Sequence, residues 1–277
     1  MRSFMTGPAA AAPAAAAPAA AAPVTAGAIA LLVPLGRYAA PHDPQQQIGP
    51  PWSPPGSGAL LGTDGLGRDV LSRVLHGGTE LLTVSLLAAV VAVSCGTVLG
   101  LAAGWAGGRT ARAVFWLCDL LLAVPALVLA LVLAVALPGG TAVVAASVLS
   151  GTPLTARVVA GASARLRAGG HVHAARERGE TVPSVLAREV LPALRGLVTA
   201  DAGLRLVTAL QIAAALAVLG LGPQPPEPDW ALMLSENLPG AALNPVALLA
   251  PAVLLACCAW ALAAAAHRAG PGRETVV

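Results

Sequence analysis

Between Glu80 and Arg109 the chain has no charged side chain, and Leu81 to Ala103 is made almost wholly of Leu, Ala, Val and small residues. Such a run exceeds the roughly 20 apolar residues that a helix needs to cross a bilayer core of about 30 Å. Four more apolar runs follow, at Ala113 to Leu137, Thr141 to Ala160, Leu197 to Leu221 and Ala247 to Ala266. Only 10% of the 277 residues are charged and 57% are hydrophobic, whereas roughly 25% charged is usual for a soluble domain. Aromatics are 3%, so the apolar content is aliphatic. These features exclude a large soluble catalytic domain and predict an all-α membrane protein of about six transmembrane helices.

The basic residues narrow function further. All sixteen are Arg. A P-loop nucleotidase needs the Lys of its phosphate-binding loop to reach the β- and γ-phosphates, so if ATP drives this protein another chain hydrolyses it. The formal charge of +3 reads as a topology signal rather than as nucleic-acid binding. Cytoplasmic termini put Arg2, Arg109, Arg112, Arg268, Arg273 and the eight Arg from 157 to 205 inside, leaving Arg37, Arg68 and Arg73 outside. That bias matches the positive-inside rule.

The domain organisation follows from the same pattern. Residues 1–22 are an Ala/Pro arm, expected to be disordered because recurrent prolines remove helix hydrogen bonds. A first span is expected over 23–40, and the prolines oppose reading this region as a signal peptide. Residues 41–78 form a Pro-rich extracytoplasmic loop that ends in a helical pattern. Within it Leu66, Val70, Leu71, Val74 and Leu75 share one face and Arg68, Asp69, Ser72, Arg73 and His76 the other, with Thr63 or Asp64 able to cap the start. This is expected to be an amphipathic helix lying on a membrane surface. A five-helix core is expected over 79–266, interrupted by a polar loop at 164–196, and followed by a cytoplasmic tail at 267–277.

The polar loop carries most of the inward Arg. His171 to Arg178 is helix-compatible, Gly179 breaks the pattern, and Thr181-Val182-Pro183 starts a second helix that Pro192 is expected to end. Periodicity alone leaves two readings open, a solvated basic loop or a functional helix-turn-helix.

The stretch HVHAARERGETVPSVLAREVLPAL resembles the EAA loop of binding-protein-dependent ABC importer permeases. Ala174, Ala175, Gly179, Val190, Leu191 and Pro192 match in register, and His173 stands where that family has Glu. Two further stretches, LGTDGLGRDVLSRVLHG at Leu61–Gly77 and LGLGPQPPEPDWALML at Leu219–Leu234, resemble the peptide and nickel group, in the subunit type with a long outer loop before the second span. The resemblance implies a coupling helix that sits in a cleft of a separate ATPase, with His173, Ala174, Ala175, Arg176, Gly179, Leu191 and Pro192 as the coupling residues. It also implies outer loops that face a substrate-binding protein, with Asp64, Arg68, Asp69, Gln224 and Trp230 on them. The implied partners are two ABC ATPase subunits, a second homologous permease and an extracytoplasmic binding protein. No cofactor is expected on this chain; ATP and Mg belong to the partner subunits.

Several residues stand apart from these motifs. Asp119 interrupts an apolar run just before Pro125, and a carboxylate there costs about 2.5–3.5 kcal/mol unless it faces protein or water; a structural or gating role is expected for both. Asp201 and Arg205 are spaced to pair on one helical face, and Gln211, deeper in the same span, is expected to border the pathway. Ala213 to Ala215 occupy positions where many relatives carry a Glu. His171 and His173 diverge by about 200° on a helix and cannot share a metal. Trp52, Trp105 and Trp230 border the apolar runs as interfacial anchors do, and Cys95, Cys118, Cys257 and Cys258 read as free thiols.

The function expected is a transmembrane permease subunit that moves di- or oligopeptides, nickel or similar small cargo inward by alternating access. An ion-driven secondary transporter is the rival class, with Asp119 as its best candidate. An intramembrane hydrolase would need Asp119 and Asp201 to act as a dyad. Arg without Lys and abundant Ala point to a GC-rich bacterial genome, and hence to a multi-pass protein of a bacterial inner membrane.

Overall fold

The computed structural model describes residues 35–56 and 58–269. The arm expected at 1–22, most of the first span and most of the tail lie outside them; residues 35–39 are helical. The remaining elements are helices: α1 (Val70–His76), α2 (Thr79–Ala106), α3 (Gly108–Leu122), α4 (Ala126–Ala136), α5 (Gly140–Arg167), α6 (Gly170–Glu177), α7 (Val182–Val218), α8 (Trp230–Asn237) and α9 (Pro245–Ala269). Among the described residues there is no strand, only three isolated β-bridges in the loop before α1 and at its cap.

Among the described residues, four helical stretches are long and apolar enough to cross a membrane: Val70–Ala106, Gly140–Arg167, Val182–Val218 and Pro245–Ala266. The run at Ala113–Leu137, expected as one span, is instead the broken pair α3 and α4, bent by 77°. Pro125 is the cause. It has no N–H and disfavours helical geometry in the residue before it, and its own backbone is extended (φ −56°, ψ 132°). Large aliphatic side chains such as Val132 and Val135 point outward from α4 at 63% and 82% exposure, which suits a helix surrounded by lipid or by another apolar subunit.

The spine of the bundle is the pairing of α2 with α5, the most extensive helix contact among the described residues. Gly96, Gly100 and Gly104 recur every four residues along one face of α2, and an added Cβ at Gly100 would stand 2.6 Å from the Ala156 carbonyl oxygen. A Cβ at Gly96 would meet Thr155 at 2.5 Å and one at Gly104 the Ala160 carbonyl oxygen at 2.6 Å. This small-residue stripe lets two backbones touch where the hydrophobic effect supplies no driving force between helices.

Helix α7 contains one irregular turn. Leu186–Val190 is π-helical, and the Leu191 N–H bonds to the Leu186 carbonyl five residues back. Pro192 therefore does not end the helix as expected. Its ring would crowd the carbonyl four residues earlier in a regular helix, and the widened turn just before it gives relief. The chain runs on as one helix to Val218.

Candidate functional site

Two ends of the bundle carry the polar chemistry, and they are built differently. At one end α5 stops at Arg167 and the chain turns through Ala168 and Gly169 into α6. Gly179 closes α6: its φ is +81°, its N–H bonds to the Arg176 carbonyl at 2.9 Å, and the Glu180 N–H reaches back to the Ala175 carbonyl at 3.2 Å. This is a Schellman-type stop, which only a residue tolerant of positive φ makes without strain. Glu180 then bridges the turn, accepting from Arg178 at 2.7 Å and from Ser184 at 3.3 Å. The Arg178 hydrogen bond, helped by the charges of Arg178 and Arg188 and by the Ser184 hydroxyl, outweighs the opposing effect of desolvation and holds its carboxyl below its ordinary value.

Helix α6 has a buried side and an open side. Val172 and Ala175 are fully buried against Trp105, Val159, Ala162, Val185, Val190 and Leu194, so the short helix rests on α2, α5 and α7 together. The Arg176 guanidinium lies 5.1 Å from the centre of the Trp105 ring, and Arg167 lies 5.7 Å from it while donating to the Trp105 carbonyl. Trp105 is thus a clamp between α2, α5 and α6 rather than only an interfacial anchor. His173, Ala174, Arg176, Gly179, Leu191 and Pro192 are exposed. Ala175, expected to share in coupling contacts, is at 0% exposure and forms the floor under the helix instead, because its position three residues after Val172 puts it on the inward stripe.

The opposite end is held by a buried charge cluster. Arg73 donates to Asp64 and to Glu236, each at 2.6 Å, and Arg68 donates to Asp64 at 2.7 Å and to Glu236 at 3.4 Å. Asp64 and Arg73 are at 0% exposure and Arg68 at 3%. Two positive and two negative groups cancel, which is the condition under which charges survive burial. Burial alone would push the Asp64 carboxyl up, but the backbone N–H of Arg68, the charge of Arg73, the N–H of Leu66 and the charge of Arg68 outweigh it and hold it below its ordinary value. Asp69 caps α1 through the Ser72 N–H at 3.1 Å, and Asn244 ties the start of α9 to the carbonyls of Ser53, Leu61 and Thr63.

This cluster corrects two expectations. The polar face of α1 is not solvated, because Arg73 and Ser72 turn inward while the apolar side, with Leu71, Val74 and Leu75, borders a cavity shared with Val246, Leu249 and Val253 of α9. The helix also starts at Val70 with Asp69 as cap, not with Thr63 or Asp64, because Gly67 at φ +75° keeps 64–68 in a turn. Secondly, Asp64, Arg68, Asp69 and Trp230 are buried in the chain and cannot themselves face a binding protein. Trp230 packs on Gly77 and Gly78 and donates from Nε1 to the Val74 carbonyl at 2.7 Å. Gln224 alone of this group is exposed, with its amide on the carbonyls of Gly220 and Gly222.

Between the ends, the intramembrane acids are paired. Asp119 of α3 is bonded to Arg157 of α5, both well exposed on the isolated chain. Asp201 is buried, accepts from Arg205 at 3.2 Å one turn on, and also from the Thr155 hydroxyl of α5. Pro125 and Gln211 are exposed on the surface of the chain. The cysteines are free thiols, Cys118 and Cys258 buried and Cys95 and Cys257 exposed. Among the described residues no group of His, Cys, Asp and Glu could hold a metal.

Comparison with known proteins identifies the family. Residues 96–269 match the family described as the binding-protein-dependent transport system inner membrane component. The chain is 36% identical over 183 residues to a glutathione transport system permease protein of Pectobacterium atrosepticum, covering 66% of this chain and 61% of that protein. It is also 36% identical over 207 residues to a di/tripeptide transport system permease protein of Pseudomonas aeruginosa, covering 72% of this chain and 68% of that one. Among solved structures, an inward-facing MetNI methionine ABC transporter superposes with TM-score 0.49 at 20% identity, over 68% of this chain and 92% of that chain. The chain thus spans about three fifths of the length of the first of these relatives. With the matched region running from the glycine spine of α2 to the end of α9, the chain belongs to the family of binding-protein-dependent transport system inner membrane components.

Proposed function

We propose that this chain is the transmembrane permease subunit of an ATP-driven importer for short peptides, glutathione or closely related cargo, with its termini in the cytoplasm and α6 as the coupling helix. The observation that carries the reading is the build of α6. Its inward stripe is locked onto three long helices through Val172, Ala175 and the Trp105 clamp, while His173, Ala174 and Arg176 are exposed. A partner that pushes on His173, Ala174 and Arg176 moves α2, α5 and α7 together, which is what alternating access requires. The π turn in α7 sits beside this contact, at Leu186–Val190.

Hydrolysis of ATP with Mg is assigned to two partner ATPases, and a second permease completes the pathway, whose wall includes the outward side of α4 and Gln211. The buried cluster makes the outer loops a rigid platform for a binding protein, with Gln224 on its open surface. An ion-driven mechanism gains no support, because Asp119 and Asp201 are each engaged by their own Arg. That separate pairing also removes the dyad a hydrolase would need.

The orientation is tested by single-cysteine labelling at Ala174, which is exposed, in a background lacking the four native thiols. Labelling by a membrane-impermeant maleimide only after access to the cytoplasmic side supports the reading; labelling of intact cells from outside refutes it. Ala175 is unsuitable, being fully buried.

A further inference from the structure

An apolar groove of about 440 Å³ runs between α1 and the first half of α9. Leu61, Leu71 and Leu75 line one side and Val246, Leu249 and Val253 the other, and every residue bordering it is Ala, Val or Leu. Leu249 and Val253 are each 55% exposed. From Val246 to Val253 the groove follows α9 for roughly 10 Å, at 1.5 Å per residue.

The described chain begins beside this groove. Residues 35–39 are helical, and Gly36 is buried against Leu75: a Cβ there would stand 2.9 Å from the Leu75 carbonyl oxygen and 3.3 Å from its Cδ2. Further on, the His42 N–H donates to the Ser72 hydroxyl at 3.1 Å, and the His42 ring Nδ1 lies 3.4 Å from the Asp69 carboxylate. The chain is thus pinned twice to α1, once at the very residue whose side chain forms part of the groove wall.

What precedes Leu35 matches the groove in chemistry. From Ser3 to Gly36 no residue is charged, and the eleven residues Val24 to Pro34 include Ile29, Leu31, Leu32 and Val33. Even at the short rise of a helix these eleven residues cover about 16 Å, so the stretch is long enough to run along the groove from Gly36. In a bilayer no hydrophobic drive favours one apolar occupant over another, so packing and tethering decide. Both favour the segment covalently joined to Gly36. A second subunit has a separate apolar surface on α4, at Val132 and Val135.

We propose that residues 24–34 of this chain occupy the groove, with their aliphatic side chains against Leu249 and Val253. The first span expected from the sequence then acts as a strut. It ties α9 to α1, and through α1 to the buried cluster of Asp64, Arg73 and Glu236, and it closes this face of α9 to a second permease. The inference needs only that the chain lies in a bilayer, and it is independent of the importer reading.

The test places the photoreactive residue p-benzoylphenylalanine at Leu249 or at Val253 of the full chain in its native membrane. Both positions are exposed, so the bulky group is not forced into the core. After irradiation the chain is purified and digested, and linked peptides are identified by mass spectrometry. The expected product at both positions is an adduct with residues 24–34, in a species that runs as a single chain on a denaturing gel. The same probe at Val135, exposed on α4, is the comparison and is expected to give that adduct at a yield several-fold lower. Mainly lipid adducts at Leu249 and Val253, adducts with another protein or with a second copy of this chain, or no adduct at either position overturns the proposal. An equal yield at Val135 also overturns it, because random collision then accounts for the product.

Discussion

Arg73 and Glu236, 163 positions apart in sequence, are joined by a partly buried charged hydrogen bond of 2.6 Å. The bond locks the segment before α2 onto α8, and Asp64 completes it from the other side. Removing one member leaves a buried guanidinium uncompensated, at a cost of about 3–5 kcal/mol. Glu236→Ala and Asp64→Asn are therefore expected to lower the melting temperature in detergent markedly. Melting unchanged from the wild type would show that the cluster is not a structural lock.

The same cluster sets a pH response. The Asp64 carboxyl is held below its ordinary value of 3.8, so its contribution to stability is fully present above that pH and is lost only as pH falls through the lower, folded-state value. Between neutrality and pH 5 the protein should show no loss from this source. Below pH 3.8 melting temperature should fall more steeply in the wild type than in Asp64→Asn, as followed by intrinsic fluorescence of the Trp residues. Parallel curves would contradict the assignment.

The glycine spine makes a sharper demand. A methyl group at Gly100 would lie 2.6 Å from a backbone oxygen of α5, and backbone cannot rotate away as a side chain can. Gly100→Ala should cost about 1–3 kcal/mol by overpacking, while Gly161→Ala, where a Cβ has open space on the same helix pair, should cost little. Equal behaviour of the two variants would refute the close α2–α5 approach.

Trp105 is expected to matter for coupling more than for stability. Its contact with the Arg176 guanidinium of α6, at about 0.5–1 kcal/mol, corresponds to roughly a two- to fivefold change in the docked population of α6. Trp105→Leu in a reconstituted transporter should keep ATP hydrolysis and lose transport per ATP. Full transport in this variant would remove Trp105 from the coupling path.

Much of this architecture is written in the chain at the level of runs and stops. Uncharged stretches located the long helices, and Gly179 marked the end of α6, because both depend on local chemistry. Pro125 and Pro192 read alike in sequence yet act differently, since one breaks its helix and the other is accommodated by a π turn that no local pattern announces. The face of α1 was misread for a tertiary reason. Arg68 and Arg73 look like surface charges until Glu236, supplied from far along the chain, pairs with them. Two further signals stand in the sequence: the four-residue spacing of Gly96, Gly100 and Gly104, and the Asp229-Trp230 pair, in which a helix cap precedes a buried anchor.

The central claim is that α6 transmits the work of a separate ATPase. Gly179→Pro removes the N–H that bonds to Arg176 and forbids the φ of +81° that stops the helix, and it touches no other element. The most direct measurement is purification of the tagged chain and of this variant from native membranes in mild detergent, with mass spectrometry of the bound proteins and ATP-driven uptake after reconstitution. The account predicts that the wild type retains P-loop ATPases and a second permease, and that Gly179→Pro inserts normally but loses the ATPases and uptake. A variant that keeps both, or a wild-type chain that transports with no ATPase bound, would contradict it.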